Sequence, residues 1–218
     1  MTEHRPSPTR LVIVGAGGFA RETLDVVEAS NAVDQRWEFL GFLDDYESDD
    51  PLIARRGAQI LGTPGLLAEL DCEYVIAIAD PAARERIDGI ASRAGCRAAT
   101  LVHPAATLGS MNAIGPGFIA LAGSSVTTNV TIGRHVQLNP TAAVGHDAIL
   151  GDYTTLYPGA RVSGNVRLED AVTLGTGACV IQGLTIGRGT FVGAGAVVIR
   201  NLDAGLVVVG IPARPLPR

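Results

Sequence analysis

The strongest pattern in the chain is an aliphatic residue at every sixth position of its second half. A small or β-branched residue follows four positions after most of them, and glycine often follows directly. This period is typical of a parallel β-helix, in which each hexapeptide forms one side of a prism and residues eighteen apart stack. Hairpins would instead show period-two alternation with irregular turns. The aliphatic series is Leu108, Ile114, Ala120, Val126, Ile132, Leu138, Val144, Leu150, Leu156, Val162, Leu168, Leu174, Val180, Ile186, Val192 and Val198.

The first half instead alternates short apolar runs with helical patterns. Such alternation predicts a parallel sheet covered by helices, but this segment is too short for a complete dinucleotide-binding fold. The predicted fold is therefore an α/β half-Rossmann domain (βαβαβ) followed by a parallel β-helix of hexapeptide repeats. We expect a disordered tail at 1–10, the α/β domain at 11–102 and the β-helix at 103–218. The predicted strands are 11–14, 39–43, 59–61 and 74–79, and the predicted helices are 20–29, 64–70 and 81–94.

Composition narrows the class of partner. The net charge is −5 with 18% charged residues, which favours neither nucleic acid nor an anionic membrane as a partner. Three widely spaced cysteines, Cys72, Cys96 and Cys179, suit a reducing compartment and form no metal motif. The polar N-terminus lacks the apolar stretch of a signal peptide, and no run has the length of a membrane helix. We expect a cytoplasmic protein.

A glycine-rich turn follows the first predicted strand and opens a helix. Glycines allow a tight turn there, and the free N–H groups of a helix start can bind phosphate. The same motif is also compatible with NAD binding, or with a turn that has no ligand. Polar residues after the next strands fall at the same sheet edge, where ribose, base or phosphate groups can be held. The candidate substrate-binding residues at this edge are Gly17, Gly18, Phe19, Asp44, Asp45, Asp80 and Arg84.

Together these motifs resemble the NeuD/PglD group of hexapeptide-repeat sugar acetyltransferases. The resemblance runs from Leu11 to Pro212 and rests on the repeat and on the segments 15–21, 41–45 and 77–80. It implies a left-handed β-helix, a homotrimer with active sites between subunits, acetyl-CoA as co-substrate and no metal. It also implies N-acetylation of a nucleotide-linked 4-amino-4,6-dideoxy sugar carried by UDP, dTDP or GDP.

The resemblance assigns catalysis to one stretch of the repeat. His146 matches the family's general base, Asp147 its partner and Asn139 a polar support seven residues earlier. Histidine suits proton removal from an attacking amine at neutral pH, and a carboxylate can orient the ring. Relatives often have His where this chain has Phe19, and some have His in place of Thr155, so acceptor and acyl-CoA contacts are expected to differ.

The eighteen-residue spacing between stacked positions predicts two more residues beside His146 and Asp147. Gly164 and Asn165 lie eighteen positions after His146 and Asp147 and should stack on them. A backbone N–H at Gly164 can stabilise an oxyanion and also approach a ligand closely. Asn165 can alternatively form a structural ladder with Asn129. The resemblance gives an acetyl-CoA set of Thr155, Gly164, Asn165, Thr176, Ala194 and Gly195.

Three other functions stay open at this stage. One is O-acetylation of sialic acid or another sugar, which uses the same chemistry on a hydroxyl. The second is a non-catalytic β-helix protein that binds a nucleotide sugar, and the third is a dinucleotide-dependent enzyme. A zinc site would need three converging histidines. His135 is expected on another side of the prism from His146, and His103 precedes the repeat, so we predict no metal.

Overall fold

The computed structural model describes residues 7–45 and 51–216. The elements of the first half are β1 (Thr9–Val14), α1 (Gly18–Val33), β2 (Trp37–Leu43), α2 (Pro51–Ala54), β3 (Ile60–Gly62), a 3-10 helix (Pro64–Ala68), β4 (Glu73–Ile76), α3 (Pro81–Arg93) and β5 (Arg97–Ala98). The strands form a parallel five-stranded sheet in the order β3-β2-β1-β4-β5. Strand order reverses at β1, which has β2 on one side and β4 on the other.

Both faces of this sheet are covered, which explains why its central strand is a continuous apolar run. Leu11 and Ile13 face a cluster that contains Leu24 of α1. Val12 and Val14 face the opposite cluster, which contains Ile87 of α3. The alternation along β1 therefore separates two hydrophobic cores rather than a core and solvent.

Several predicted boundaries differ from the structure. Thr9 and Arg10 belong to β1 and pair with Trp37 and Glu38, so the predicted tail is wrong for these two residues. Residues 1–6 of that tail lie outside the described part of the chain. The predicted helix at 64–70 is a shorter 3-10 helix. The strand predicted at 74–79 ends at residue 76, and its remaining residues form the wall of a cavity.

The second half is a β-helix with three parallel sheets as its sides. The strands are β6 (Leu101–Val102), β7 (Thr107–Leu108), β8 (Ala113–Ile114), β9 (Ile119–Ala120), β10 (Ser125–Val126), β11 (Thr131–Ile132), β12 (Gln137–Leu138), β13 (Ala143–Val144), β14 (Ile149–Leu150), β15 (Thr155–Leu156), β16 (Arg161–Val162), β17 (Arg167–Leu168), β18 (Thr173–Leu174), β19 (Cys179–Val180), β20 (Thr185–Ile186), β21 (Phe191–Val192), β22 (Val197–Val198), β23 (Val207–Val209) and β24 (Arg214–Pro215). The first side contains β6, β9, β12, β15, β18, β21 and β23, the second begins with β7 and the third with β8.

The predicted register is confirmed. Val126 pairs with Val144, and Val144 pairs with Val162, each eighteen residues along the chain. The aliphatic series is buried from Ala120 to Val198. Leu108 and Ile114 are more exposed because β7 and β8 are the edge strands of their sheets, with no earlier coil beyond them.

The two halves pack directly against each other. Strand β6 pairs with β9, so the β-helix pairing starts two residues before the boundary predicted at 103. Ile119 and Leu121 of the β-helix share one buried cluster with Leu24 of α1. A common core of this kind holds the α/β domain on the first side of the prism.

The chain reverses direction at the C-terminal end of the β-helix. Strand β23 continues the first side in parallel, but β24 pairs with it in the antiparallel sense. Val208 lies opposite Pro215, and Val209 lies opposite Arg214. The first side of the prism thus ends in an antiparallel strand.

Candidate functional site

His146 lies at a corner of the prism, as predicted. We call residues 139–142 the first corner, 145–148 the second and 151–154 the third, together with the positions stacked on them at eighteen-residue spacing. His146 is at the second corner, between β13 and β14, with its side chain 52% exposed. Its Nδ1 lies 2.7 Å from Oδ2 of Asp147, so the ring has a fixed partner while remaining open to solvent.

Asp147 is held from the preceding coil. Its φ is 59°, in the left-handed region that side chains seldom adopt outside such turns. Asn129 donates from Nδ2 to Oδ1 of Asp147 at 2.6 Å. The hydrogen bond from Asn129, with that from His146, lowers the pKa of Asp147. The carboxylate is therefore ionised at neutral pH and accepts a hydrogen from Nδ1 of His146.

Gly164 stacks against the histidine ring. A Cβ placed on Gly164 would lie 2.5 Å from both Nε2 and Cε1 of His146, closer than any side chain allows. The N–H of Asn165 donates to the backbone oxygen of His146 at 2.8 Å. The structure therefore places His146, Asp147, Gly164 and Asn165 together, and the asparagine side chain that reaches Asp147 is that of Asn129.

The other catalytic and acetyl-CoA candidates occupy a different corner. Asn139, Thr176, Ala194 and Gly195 all lie at the first corner, one prism side away from His146. Asn139 is 6% exposed and donates to the backbone oxygen of Leu156 at 3.1 Å. The last three are exposed and stack along the prism. Within one copy of the chain, Asn139 is thus not positioned beside His146.

The prediction for Thr155 is wrong in this structure. Thr155 lies on the first side and is fully buried beneath the α/β domain. Its Oγ1 accepts a hydrogen bond from Arg84 at 2.7 Å. A side chain enclosed by protein in this way is not on the open wall that a coenzyme could follow.

A cavity of about 510 Å³ opens at the carboxyl ends of β1, β2 and β4. This position, where strand order reverses, is where open α/β sheets bind ligands. Gly15 has a φ of 105°, and a Cβ there would lie 2.8 Å from the backbone oxygen of Ala77. Gly17 and Gly18 have open space where a side chain would be. The turn therefore needs one glycine for its backbone and leaves room for a ligand at the next two.

Two carboxylates and a phenyl ring line this cavity together with the glycines. Asp44 accepts from the N–H of Ala16 at 2.7 Å and so helps to shape the turn. Asp45 lies 3.4 Å from Arg86 across the rim, and both side chains are about half exposed. Phe19 closes part of the wall. The predictions that placed Gly17, Gly18, Phe19, Asp44 and Asp45 at one edge thus agree with the geometry.

Two predicted members of this pocket lie elsewhere. Asp80 caps helix α3, where its side chain accepts from the N–H of Ala82 at 3.1 Å. Arg84 is buried and points away from the cavity into the β-helix. Arg86, which the sequence analysis missed, is the cation that lines the cavity. The signal that could have found it is its spacing on α3, because Arg86 follows Ala83, which also lines the cavity, by three positions, and such residues share one helix face.

His135 is buried at the third corner in a polar cluster around Asp88 of α3. Its Nε2 lies 3.0 Å from Oδ1 of Asp88, and its ring stacks on Tyr153. The hydroxyl groups of Tyr74 and Tyr153 donate to the same carboxylate, at 3.0 and 2.6 Å. Within residues 7–45 and 51–216, no group of three or more His, Cys, Asp or Glu is arranged to hold a metal ion. None of the helices there is long and apolar enough to span a membrane.

Comparison with known proteins covers both halves of the chain. The PglD N-terminal domain family matches residues 10–88. Comparison with curated protein sequences gives no match. The acetyltransferase domain of PglB from Neisseria gonorrhoeae, solved in complex with acetyl coenzyme A, is 32% identical with a TM-score of 0.86. That alignment covers 96% of this chain and 100% of the other.

Two further solved structures are similar over the same range. PerB from Caulobacter crescentus, in complex with CoA and GDP-perosamine, is 29% identical with a TM-score of 0.86, over 95% of this chain and 97% of its own. WeeI from Acinetobacter baumannii AYE is 31% identical with a TM-score of 0.85, over 95% of this chain and 100% of its own. These matches confirm the predicted fold, including the left-handed β-helix.

Proposed function

Because the chain belongs to the NeuD/PglD-like family of sugar acetyltransferases, we propose that it acetylates the amine of a nucleotide-linked 4-amino-4,6-dideoxy sugar. The enzyme is an acyltransferase that uses acetyl-CoA. The nucleotide of the acceptor is UDP, dTDP or GDP. A similar protein, PerB, was solved with GDP-perosamine, which supports an amino sugar on a nucleotide as the acceptor class.

One observation carries this proposal: the chain combines a ligand cavity at a glycine-rich turn with a histidine held by an ionised carboxylate. The cavity of about 510 Å³ lies within the size range of small-molecule sites. A free sugar would not need a phosphate-accepting turn, whereas a nucleotide sugar would. The His146–Asp147 pair supplies the base that acyl transfer to an amine requires.

We assign the proton transfer to Nε2 of His146. Since Nδ1 donates to the ionised Asp147, Nε2 has its lone pair free. The sugar amine forms the new N–C bond at the thioester carbonyl while its proton moves to Nε2. The C–S bond then breaks, and the departing thiolate takes up that proton from Nε2 of His146, which gives free CoA and restores the base. A base so placed typically contributes about 100- to 10,000-fold in rate.

The remaining residues have supporting roles in this proposal. Gly164 offers backbone beside the ring of His146, where an N–H can stabilise the oxyanion. Asn165 borders this backbone. The exposed small residues Thr176, Ala194 and Gly195 give the extended arm of acetyl-CoA a wall without bulky side chains.

At the cavity, the backbone N–H groups of Gly17 and Gly18 face the diphosphate at the start of α1. Asp45 accepts from ribose or base, and Arg86 pairs with phosphate. The guanidinium of an arginine can bind two phosphate oxygens at once. When the nucleotide binds, its phosphate replaces Asp45 as the anionic partner of Arg86. Phe19, which stands where relatives often have histidine, offers an apolar contact to the sugar instead.

We also propose that the working unit is a homotrimer. The α/β domain docks on the first side and the third corner, whereas His146 lies at the second corner. Asn139 and the acetyl-CoA candidates lie at the first corner. A second copy that packs its first corner against the second corner of its neighbour would join these groups in one site, and a closed ring of three does so for every copy.

The deciding experiment incubates the protein with acetyl-CoA and UDP-, dTDP- and GDP-linked amino sugars, and follows thiol release. We expect rapid release with one acceptor and a loss of about 100- to 10,000-fold in kcat for His146→Ala. Asp147→Asn keeps the size of the carboxylate and serves as the matched variant for ring orientation.

Release with sialic acid or another sugar hydroxyl, and with no amino sugar, would replace N-acetylation by O-acetylation. Undiminished activity in His146→Ala would refute the assigned base. A protein that binds nucleotide sugars but neither binds nor consumes acetyl-CoA would be a binding protein, and the enzymatic proposal would fail.

A further inference from the structure

Arg84 of helix α3 is fully buried, with no accessible surface. Burial lowers its pKa to about 10, so the guanidinium is still charged at neutral pH. A buried charge is costly unless partners meet most of its hydrogen-bonding capacity. Both terminal nitrogens of Arg84 have such partners, whereas its Nε has none among the described residues. The direction of those partners therefore indicates what this side chain does.

One set of partners belongs to the β-helix. Nη2 of Arg84 donates to Oγ1 of Thr155 at 2.7 Å and to the backbone oxygen of Tyr153. Nη1 lies 3.2 Å from Oε1 of Gln137. These acceptors sit on two neighbouring coils, at the first side and the third corner.

The other set belongs to the wall of the nucleotide cavity. Nη1 donates at 2.8 Å to the backbone oxygens of both Ile78 and Ala79. These two residues line the cavity, directly after β4. Gln137 reinforces the same segment, because its Nε2 donates to the backbone oxygens of Ile76 and Ile78 at 2.9 and 3.2 Å. A single guanidinium thus joins the cavity wall to the prism.

We propose that Arg84 is a positioning residue for the acetyl transfer, because it fixes the acceptor cavity relative to the β-helix. The inference rests on the proposed function, since a cavity that holds the acceptor must present its amine to a base carried by the β-helix. A misplacement of about 1 Å between reacting groups can lower the rate about 100-fold. Arg84 touches neither cavity space nor His146 and acts only through the segment that it holds.

The requirement is specific to arginine. Its planar fork has separate nitrogens: the two shortest contacts of Nη1 are with the cavity wall, whereas Nη2 contacts only the β-helix. Lysine keeps the positive charge but offers one nitrogen at the end of a flexible stem, which cannot reproduce the fork. Arg84→Lys therefore tests the hydrogen-bonding geometry of the side chain while it keeps the positive charge.

The test compares Arg84→Lys and Thr155→Val with Tyr153→Phe in the full chain. Thr155→Val removes one acceptor of the guanidinium and keeps the shape of the side chain. Tyr153→Phe loosens the same domain contact through its bond to Asp88, without touching the cavity wall. For each protein, kcat, the KM of acetyl-CoA, the KM of the acceptor and the melting temperature are measured.

We expect kcat of Arg84→Lys to fall about 10- to 100-fold while the KM of acetyl-CoA stays within about twofold. Thr155→Val should also lower kcat, by a smaller factor than Arg84→Lys. Tyr153→Phe should lower the melting temperature but keep kcat within about twofold of the wild type. A smaller folded fraction would also lower the apparent kcat without changing either KM, so kcat is calculated per folded protein at a temperature well below every melting temperature. A loss caused by unfolding would follow the melting temperature in all variants.

The inference is overturned if Arg84→Lys matches Tyr153→Phe in kcat at a similar melting temperature. Should Arg84→Lys not fold, Thr155→Val decides by the same comparison. A wild type that releases no thiol with any acceptor would instead refute the proposed function, before any variant is measured, and the inference would fall with it.

Discussion

At the residue scale, the candidate site depends on a side chain that is missing. The ring of His146 lies over Gly164, in the space that a Cβ at that position would need. In a stacked β-helix, an outward group on one coil constrains the residue eighteen positions later. The glycine is therefore as much a part of the histidine's placement as Asp147 is.

This contact predicts the effect of Gly164→Ala. The added methyl group would displace the ring from Asp147, and we expect kcat to fall about 10- to 100-fold. Gly89→Ala is the matched control, since a Cβ at Gly89 in α3 meets only the end of the Arg93 side chain at 3.5 Å. Steady-state kinetics of both variants, alongside their melting temperatures, checks this. Equal activity in the two would show that the ring tolerates the methyl group.

At the scale of elements, helix α3 is attached to the β-helix by a buried carboxylate. Burial alone would raise the pKa of Asp88, but His135, Arg134 and Tyr153 act in the opposite direction and hold it well below its usual range. Arg134 bonds this carboxylate at 2.6 Å. The ionised form is therefore stabilised in the folded protein relative to the unfolded chain, where the pKa is about 3.9.

The sign of this shift sets a pH dependence of stability. Stabilisation from Asp88 is complete above the unfolded pKa and is lost as the pH falls below it, because the unfolded chain then binds the proton first. Asp88→Asn should cost about 3–5 kcal/mol at pH 7 and flatten the decline between about pH 5 and pH 2.

Urea unfolding at several pH values measures this dependence. Asp25→Asn is the control, because it removes an exposed ion pair with Arg56, and such pairs contribute little. Curves for Asp88→Asn and the wild type that fall in parallel with pH would contradict the assignment.

The same helix shows where prediction from sequence succeeds and where it stops. Each hexapeptide has the same local pattern, an aliphatic residue that points inward and a small residue at the corner. The register from Ala120 to Val198 could therefore be predicted without knowledge of contacts elsewhere in the chain. Arg84 and Thr155 were misassigned because their partners are set by packing between distant segments, whereas the partner of Asp80 is local, the N–H of Ala82 in the first turn of α3. Arg84 and Thr155 are 71 residues apart in sequence, and no local pattern announces their hydrogen bond.

At the scale of the whole molecule, the division of the candidate site between two corners makes a prediction about assembly. If His146 of one subunit works with the first corner of another, two different defects can complement each other. His146→Ala and Ala194→Trp should each be inactive alone. Mixed trimers purified through two tags should regain about one third of wild-type activity, because one of their three sites has both corners intact.

Light scattering would confirm that the mixed assembly contains three chains. Verified mixed trimers without recovered activity would show that both corners serve a site within one subunit. Activity in either variant alone would remove the altered residue from the site.

The reversal of β24 against β23 has a consequence for the protein's behaviour at high concentration. A stack of parallel coils has no intrinsic end, and its last strand would offer unpaired backbone groups to any other strand. Here the partner position beside Val208 and Val209 is already taken by Pro215 and Arg214, and proline has no N–H to offer a further strand. The first side of the β-helix thus carries its own terminator, and we expect it to oppose the growth of one molecule on the next into a fibre along that side.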